Sequence, residues 1–319
     1  MGTGNIANKF VKGLLSLDKA RLRAVGSRDL KKAQAFSSQY GFEMAYGSYE
    51  KLVSDPEVDI VYISTPHPFH KEGVALCLKA GKAVLCEKPF TLNAKDSRQL
   101  VSLAREKQLF LMEAMWTRYL PAMVKVKEWL AKGLIGDVQC VKADFGAMGK
   151  WDPSGRLFNL ELGGGALLDI GIYPVSFASM VFGVQPTTIT SVVNIGQTGV
   201  DENNAILFSY SNGKLANLMS SVNYDLVNDA WIFGTEGHIH IPHFFCPKEA
   251  TLSLKNGQVE TYKLEFESTG YQYEAIEAME CLRNGQLESA IMPLDETLAI
   301  MDTMDRLRAQ WNLRYPGEE

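Results

Sequence analysis

Four short stretches carry side chains whose types and spacing suit chemistry. In "LCEKPFTLNAKD" (85–96), Lys88 follows an apolar run and precedes Pro89, which cannot continue a central strand. The run places Lys88 at the carboxyl end of a buried strand, the edge of an open α/β sheet where ligands bind. An ammonium there can hydrogen-bond a hydroxyl and favour deprotonated neighbours; the alternative is a surface pair with Glu87. In "GGGALLDIGIYPV" (163–175), three glycines open a helix, and Asp169 and Tyr173 stand four residues apart on one helical face. A tyrosine, with an ordinary pKa of about 10, needs a cationic neighbour to act as acid or base. Lys88 can serve as that neighbour, and a half-buried packing role for Tyr173 is the alternative.

The other two stretches suit a dinucleotide. "MGTGNIANKF" has the pattern G-x-G-x-x-A at Gly2, Gly4 and Ala7, so Gly2, Gly4, Asn5 and Ile6 can cradle a pyrophosphate at a helix amino terminus. The next strand, "LRAVGSRD", ends where a ribose-reading acid is usual, yet Ser27 and Arg28 stand there. A hydroxyl and a planar cation suit a 2′-phosphate, which favours NADP over NAD. The alternatives are a surface arginine and an Asp29 that accepts a ribose hydroxyl. "STPHPFH" sets Thr65, Pro66 and His70 on the same sheet edge, as a nicotinamide-side lining or as a structural turn.

The elements that must position these residues are legible as patterns. Up to Trp116 the chain alternates strands ("RLRAVGS", "VDIVYIST", "AVLCE", "LFLMEA") with helices ("DLKKAQAFSSQY", "FHKEGVALCLKAG", "AKDSRQLVSLAREK"). That alternation predicts an amino-terminal Rossmann domain with a doubly wound parallel sheet, over residues 1–118. A helix, "AMVKVKEWLAKG", and a run of closely spaced alternating strands from "VQCVKADF" to "QVETYKLEF" follow, with turns such as "SNG" and "KNG". They predict a carboxyl-terminal α/β domain, 119–319, with a large, mainly antiparallel open sheet. The chain ends in a helix, "LDETLAIMDTMDRLRAQW".

Composition narrows the partners. The 319 residues are 46% hydrophobic and 22% charged, an ordinary globular mixture long enough for two domains. Net charge is −5, so no basic field invites nucleic acid or an anionic membrane, and a small molecule is the expected partner. No apolar run approaches the roughly 18 residues that span a bilayer. Five scattered cysteines without a C-x-x-C pair predict reduced, mostly buried thiols and a cytoplasmic protein. His238, His240 and His243 in "HIHIPH" have no acidic or thiol ligand close in sequence, so no metal is expected.

The glycine loop, the Thr-Pro turn, the Glu87–Pro89 triplet and the "GGGALLDIGIY" helix, in this order, resemble the glucose-fructose oxidoreductase, inositol dehydrogenase and MocA family (Gfo/Idh/MocA). Within it, "AYGSYEKLVSDPEVDIVYISTPHPFH", "AGKAVLCEKP" and "LFLMEAMWTRYLP" are similar to the dihydrodiol and NADP-dependent D-xylose dehydrogenase branch. The resemblance spans essentially the whole chain. It implies hydride transfer between C4 of a nicotinamide and a sugar or vicinal-diol carbon, with Lys88 and Tyr173 helping proton transfer and Asp169 binding substrate hydroxyls or orienting the acid-base residue. It places Glu87, Lys88, Trp116 and Arg118 along the cofactor and substrate cleft, with Trp116 offering an aromatic face to an aromatic diol or the apolar side of a sugar, and implies a homodimer through the carboxyl-terminal sheet. Rival expectations are an NAD-dependent inositol or deoxysugar dehydrogenase and a non-catalytic NADP-binding regulator. Family members begin with a strand before the glycine loop, whereas here only Met1 precedes Gly2, so a natural start several residues upstream is expected.

Overall fold

The computed structural model of the chain describes residues 1–183 and 185–318. They form two compact units, the first built from Met1–Trp116 with Phe266–Leu298 and the second from Thr117–Glu265 with Ala299–Glu319.

In the first unit α1 (Asn5–Leu14) precedes β1 (Ala24–Gly26), and α2 (Leu30–Tyr40) leads to β2 (Met44–Tyr46). The short α3 (Tyr49–Val53), β3 (Ile60–Ile63), α4 (His70–Lys79), β4 (Ala83–Glu87), α5 (Ala94–Lys107) and β5 (Leu111–Ala114) complete the alternation. Local chemistry sets these boundaries. Asp29 caps α2 by accepting from the Lys31 and Lys32 amides, and Gly41 ends it at φ 79°. Asn93 caps α5 through the Asp96 amide.

The strands are parallel, as the alternation predicts, in two pieces: β1 with β2, and β3-β4-β5. Met1 and Gly2 lie between the pieces. Met1 donates to Tyr62 O and accepts from the Ser64 amide, while the Gly2 amide donates to Gly26 O. Every residue of β4 is buried, so its apolar residues bury both faces, and Val84, Cys86, Ile63, Leu111, Val74 and Leu78 share one core. A fully buried side chain of this size contributes about 1.5–3 kcal/mol.

The second unit starts with α6 (Pro121–Ala131) and β6 (Val138–Gly146). A π-helical turn, Leu167–Gly171, then runs into α7 (Ile172–Phe182). Seven more strands follow: β7 (Thr188–Ile195), β8 (Asp201–Ser209), β9 (Leu215–Ser221), β10 (Ala230–Gly234), β11 (Gly237–Ile241), β12 (Glu249–Leu254) and β13 (Val259–Lys263). With β6 they make one eight-stranded sheet in the order β13-β12-β11-β10-β6-β9-β8-β7. It is antiparallel except where β6 and β9 run parallel. The stretch Leu160–Phe182 is long and apolar enough, at mean hydropathy 1.5, to cross a membrane, contrary to the expectation that no such run exists. It is instead 83% buried, with α7 packed on β6 and β9.

A cut after Arg118 does not describe the units. The chain returns to the first one after β13, where α8 (Gln272–Arg283) packs against α1 and Thr269 donates to Lys9 O. Leu294, which opens α9 (Leu294–Gln310), joins the β3-β4-β5 core. Cys77, Cys86 and Cys281 are buried thiols, and Cys140 and Cys246 are partly buried.

Candidate active site

In the first unit the glycine loop leaves its helix end bare. Gly4 is the N-cap of α1, no side chain caps the helix, and a Cβ at Gly4 would meet nothing within 4 Å. Among the described residues no side chain therefore takes up the first-turn amides, which stand at the positive end of the helix dipole. Gly2 has φ 101°, and a Cβ there would come within 2.9 Å of Ser64 Oγ, so only glycine lets the loop pass β3. This donor set fits the pyrophosphate of a dinucleotide. Asn5 is exposed and Ile6 half-buried beside it.

At the end of β1, Ser27 is buried and its hydroxyl accepts from the Asp29 amide. Arg28 is exposed, its guanidinium 5.2 Å from the centre of the Phe69 ring. A planar cation resting on an aromatic face is held without spending its N–H donors, which suits a phosphate partner. Asp29 is committed to its cap, and that weighs against its reading a ribose.

Lys88 is half-buried, and the turn around it is tied on both sides. His70 is fully enclosed, with Nδ1 2.9 Å from Pro89 O and Nε2 2.8 Å from Thr65 O. It thus joins the ends of β3 and β4 and presents nothing to the surface, a structural tie rather than a nicotinamide lining. On the other side the Phe90 amide donates to Glu113 Oε1, while Glu113 Oε2 accepts from the Thr297 hydroxyl. Glu87 is buried and accepts from the Tyr62 hydroxyl. A second buried carboxyl, Glu274 of α8, is pushed well above its ordinary range by burial and then by the charge of Glu87, which favours its neutral acid. The hydroxyl of buried Thr65 has no hydrogen-bond partner among the described residues, and Pro66 is extended at ψ 152°.

Trp116 is buried in this unit and stacks on Tyr271, ring centres 4.4 Å apart and planes 6° apart. One of its faces is therefore covered, against the expectation of a face offered to substrate. Tyr271 and Glu274 lie more than 150 residues from the strands they join, which is why spacing did not reveal them.

In the second unit Arg118 is buried and gives its guanidinium to Ser176, at 2.7 Å from the carbonyl and 3.0–3.1 Å from the hydroxyl. It anchors α7 through these bonds, whereas the resemblance implied a cleft-lining cation. Asp169 lies in the π-helical turn and pairs with Arg156, whose Nη2 is 3.3 Å from Oδ2. Tyr173 is buried among rings, edge-on to Phe145 at 5.3 Å and to Phe245 at 6.5 Å. Phe145 and Phe245 stack on each other at 4.1 Å. Arg156, Phe145 and Phe245 had no local signal: each reaches the helix from another part of the chain.

Among the described residues no group of three or more His, Cys, Asp or Glu is placed to hold a metal. His240 stacks on Trp231 and pairs with Asp229 at 2.7 Å.

Known proteins match these features. The oxidoreductase family with an NAD-binding Rossmann fold (GFO_IDH_MocA) matches residues 1–115, and the GFO/IDH/MocA carboxyl-terminal domain matches 123–240. A trans-1,2-dihydrobenzene-1,2-diol dehydrogenase from Mus musculus is 38% identical over 330 residues, covering 100% of this chain and 98% of the relative. The chain belongs to this family. The Danio rerio dehydrogenase of the same name is 41% identical, covering 98% of this chain and 96% of its own. A 3-ketoreductase from Actinomadura kijaniata, solved with NADP and TDP-benzene, superposes with TM-score 0.85 at 25% identity over 97% of this chain and 95% of its own. An aldose-aldose oxidoreductase from Caulobacter crescentus shares the fold, with TM-score 0.87 at 23% identity over 98% and 97%. The protein is accordingly an NAD(P)-dependent oxidoreductase of the Gfo/Idh/MocA family that acts on CH–OH groups.

The tie at His70 has a pH signature. Burial lowers its pKa from the ordinary 6.5, and this outweighs the two carbonyls, which pull it upward. A group with a lowered folded pKa contributes stability above its unfolded value and loses it as pH falls through the folded one. His70→Ala is therefore expected to cost about 1–3 kcal/mol at pH 7.5 and to lessen the loss of stability on going to pH 5.5. Urea unfolding at the two pH values measures both; an unchanged acid sensitivity would contradict the tie.

Proposed function

We propose that the protein is an NADP-dependent dehydrogenase of vicinal diols or cyclic aldoses, or a reductase of the corresponding carbonyls. The observation that carries the cofactor half is the bare amino end of α1 followed by Arg28 at the end of β1. Gly2, Gly4, Asn5 and Ile6 would hold the pyrophosphate, and Ser27 and Arg28 the 2′-phosphate. Bound there, the nicotinamide supplies a hydride acceptor or donor at C4.

Lys88, held at the strand end by the His70 and Glu113 ties, hydrogen-bonds the substrate hydroxyl in this reading. Tyr173 takes the hydroxyl proton on oxidation and returns it on reduction. Phe145 and Phe245 pack edge-on against its ring, and Asp169, paired with Arg156, is the acceptor for a second substrate hydroxyl in this reading. The dihydrodiol dehydrogenase relatives support the diol as substrate. A non-catalytic regulator fits less well, since a sensor has no use for a lysine fixed this firmly.

Initial rates with NADP and NAD side by side, on a trans-dihydrodiol, D-xylose, D-glucose and myo-inositol, test the reading. Turnover is expected with NADP on the diol or xylose. Tyr173→Phe should lower kcat about 100- to 10,000-fold, the usual worth of a positioned acid or base, with NADP affinity kept. Unchanged turnover in that variant eliminates the role.

The open face of the large sheet suits a second copy of the chain. By register Phe233 lies opposite Cys140, Cys140 opposite Leu215, and Leu207 opposite Asn217, so the three apolar residues share one face. Leu207, Leu215 and Phe233 are 44%, 40% and 39% exposed there. A flat apolar sheet face pairs readily about a two-fold axis. Sedimentation should show a dimer that Leu207→Glu with Phe233→Glu converts to monomer; a monomeric wild type at micromolar concentration rules it out.

A further inference from the structure

The helix that carries Asp169 and Tyr173 begins from a glycine loop whose conformation is imposed from outside the helix. Gly163 and Gly165 have φ 67° and 116°. The Gly164 amide donates to Asn159 O at 3.0 Å and the Gly165 amide to Leu157 O at 2.9 Å. From the carboxyl-terminal segment, the Tyr315 hydroxyl donates to Gly164 O at 2.7 Å. These bonds hold the loop, yet none of them reaches the first amides of the helix, and no side chain of the helix's own N-cap does so.

Asp201, the first residue of β8, does. It is fully buried, and its Oδ2 accepts from the Leu167 amide at 2.7 Å and from Asn204 Nδ2 at 3.1 Å. Asn204 is fixed in turn, its Oδ1 accepting from the Ser220 hydroxyl at 2.9 Å. The other carboxylate oxygen, Oδ1, has no hydrogen-bond partner among the described residues and lies against Gly165, where an added Cβ would come within 2.3 Å of it. On the next turn Gly171 passes so close to β9 that a Cβ would meet Ser220 Oγ at 2.8 Å. One polar chain, Ser220–Asn204–Asp201–Leu167, thus ties two strands to the helix start two residues before Asp169 and six before Tyr173.

We infer that Asp201 is a positioning residue for the reaction: its carboxylate caps the Leu167 end of the helix from β8 and thereby sets where Asp169 and Tyr173 stand. The inference rests on the proposed roles of those two side chains. An ordinary cap belongs to the residue just before its helix and moves with it; this one belongs to the sheet, so it fixes the helix along and about its axis. The cap holds this side chain in a site that opposes its charge. Burial lifts Asp201 to about 7, against the Leu167 and Asn204 donors and the Arg308 charge, which pull it down. Tyr315 is the other titratable group facing it.

The cap is tested without substrate by amide hydrogen exchange followed by mass spectrometry over residues 165–175. Asp201→Ala should speed exchange there about tenfold, the worth of one lost cap, while Asp201→Asn, which keeps an oxygen for the Leu167 amide, should match the wild type. If Asp201→Ala does not fold, Asn204→Ala leaves the carboxylate but removes the amide that orients it, and exchange should rise about threefold. Unchanged exchange in the alanine variants, or an asparagine variant as fast as alanine, overturns the inference. In steady state, Asp201→Ala should lose about 30- to 100-fold in kcat with NADP affinity within twofold, since a small misplacement of reacting groups costs that much. Equal losses in kcat and NADP affinity would mark general unfolding and also overturn it. A wild type that oxidises none of the substrates would defeat the proposed function, and the exchange result would still decide the cap.

Discussion

The turn that presents Lys88 is strung between two buried side chains, and much of the first unit's design follows from keeping them satisfied. A strand that ends in Glu-Lys-Pro leaves main-chain groups that no sheet partner can take, because proline stops the ladder. His70 meets Pro89 O on one side and Glu113 meets the Phe90 amide on the other. Each buried tie reaches further: His70 to Thr65 O at the end of β3, Glu113 to Thr297 in the returning segment. Removing one end would strand a buried polar group at a cost of about 1–3 kcal/mol and free the turn that carries the lysine.

The second unit solves a related problem with different groups. A helix apolar enough to cross a membrane is buried instead, so its polar start must be satisfied by neighbours, and Asp201, Tyr315 and Arg118 all reach it or its flanking loop from elsewhere. Glycines at 164, 165 and 171 let main chain approach main chain or side chain at distances no Cβ allows. The residues proposed to hold the cofactor belong to the first unit, and the candidate proton-transfer tyrosine to a helix of the second. That separation is what lets substitutions distinguish affinity from turnover.

Local signals in the sequence were enough for most of the strand and helix order, since periodicity, caps and prolines act over a few residues, but the short β2 and α3, and α8, carried too weak a pattern to be read. "AVLCE" and "AKDSRQLVSLAREK" coincide with β4 and α5 end to end. The large sheet is mainly antiparallel as expected, but the parallel pairing of β6 with β9 joins strands some 75 residues apart and had no local sign. The same limit hid the partners. His70 reads as a surface-edge histidine until the fold brings Pro89 O to it, and Trp116 as an open aromatic face until Tyr271 covers it. Arg118 reads as a cleft cation until Ser176 takes its donors. Side chains that long-range contacts consume look available in sequence, and this is where the expected site and the folded one differ most.

The proposed chemistry is hydride transfer from a carbinol carbon to NADP. It is tested most directly by incubating the protein with NADP and a trans-dihydrodiol or D-xylose deuterated at that carbon, then weighing the reduced cofactor. The account predicts one deuterium in each NADPH formed, on a single face of the nicotinamide. NADPH without the label, or no reduced cofactor with any deuterated diol or aldose although NADP binds, would contradict it.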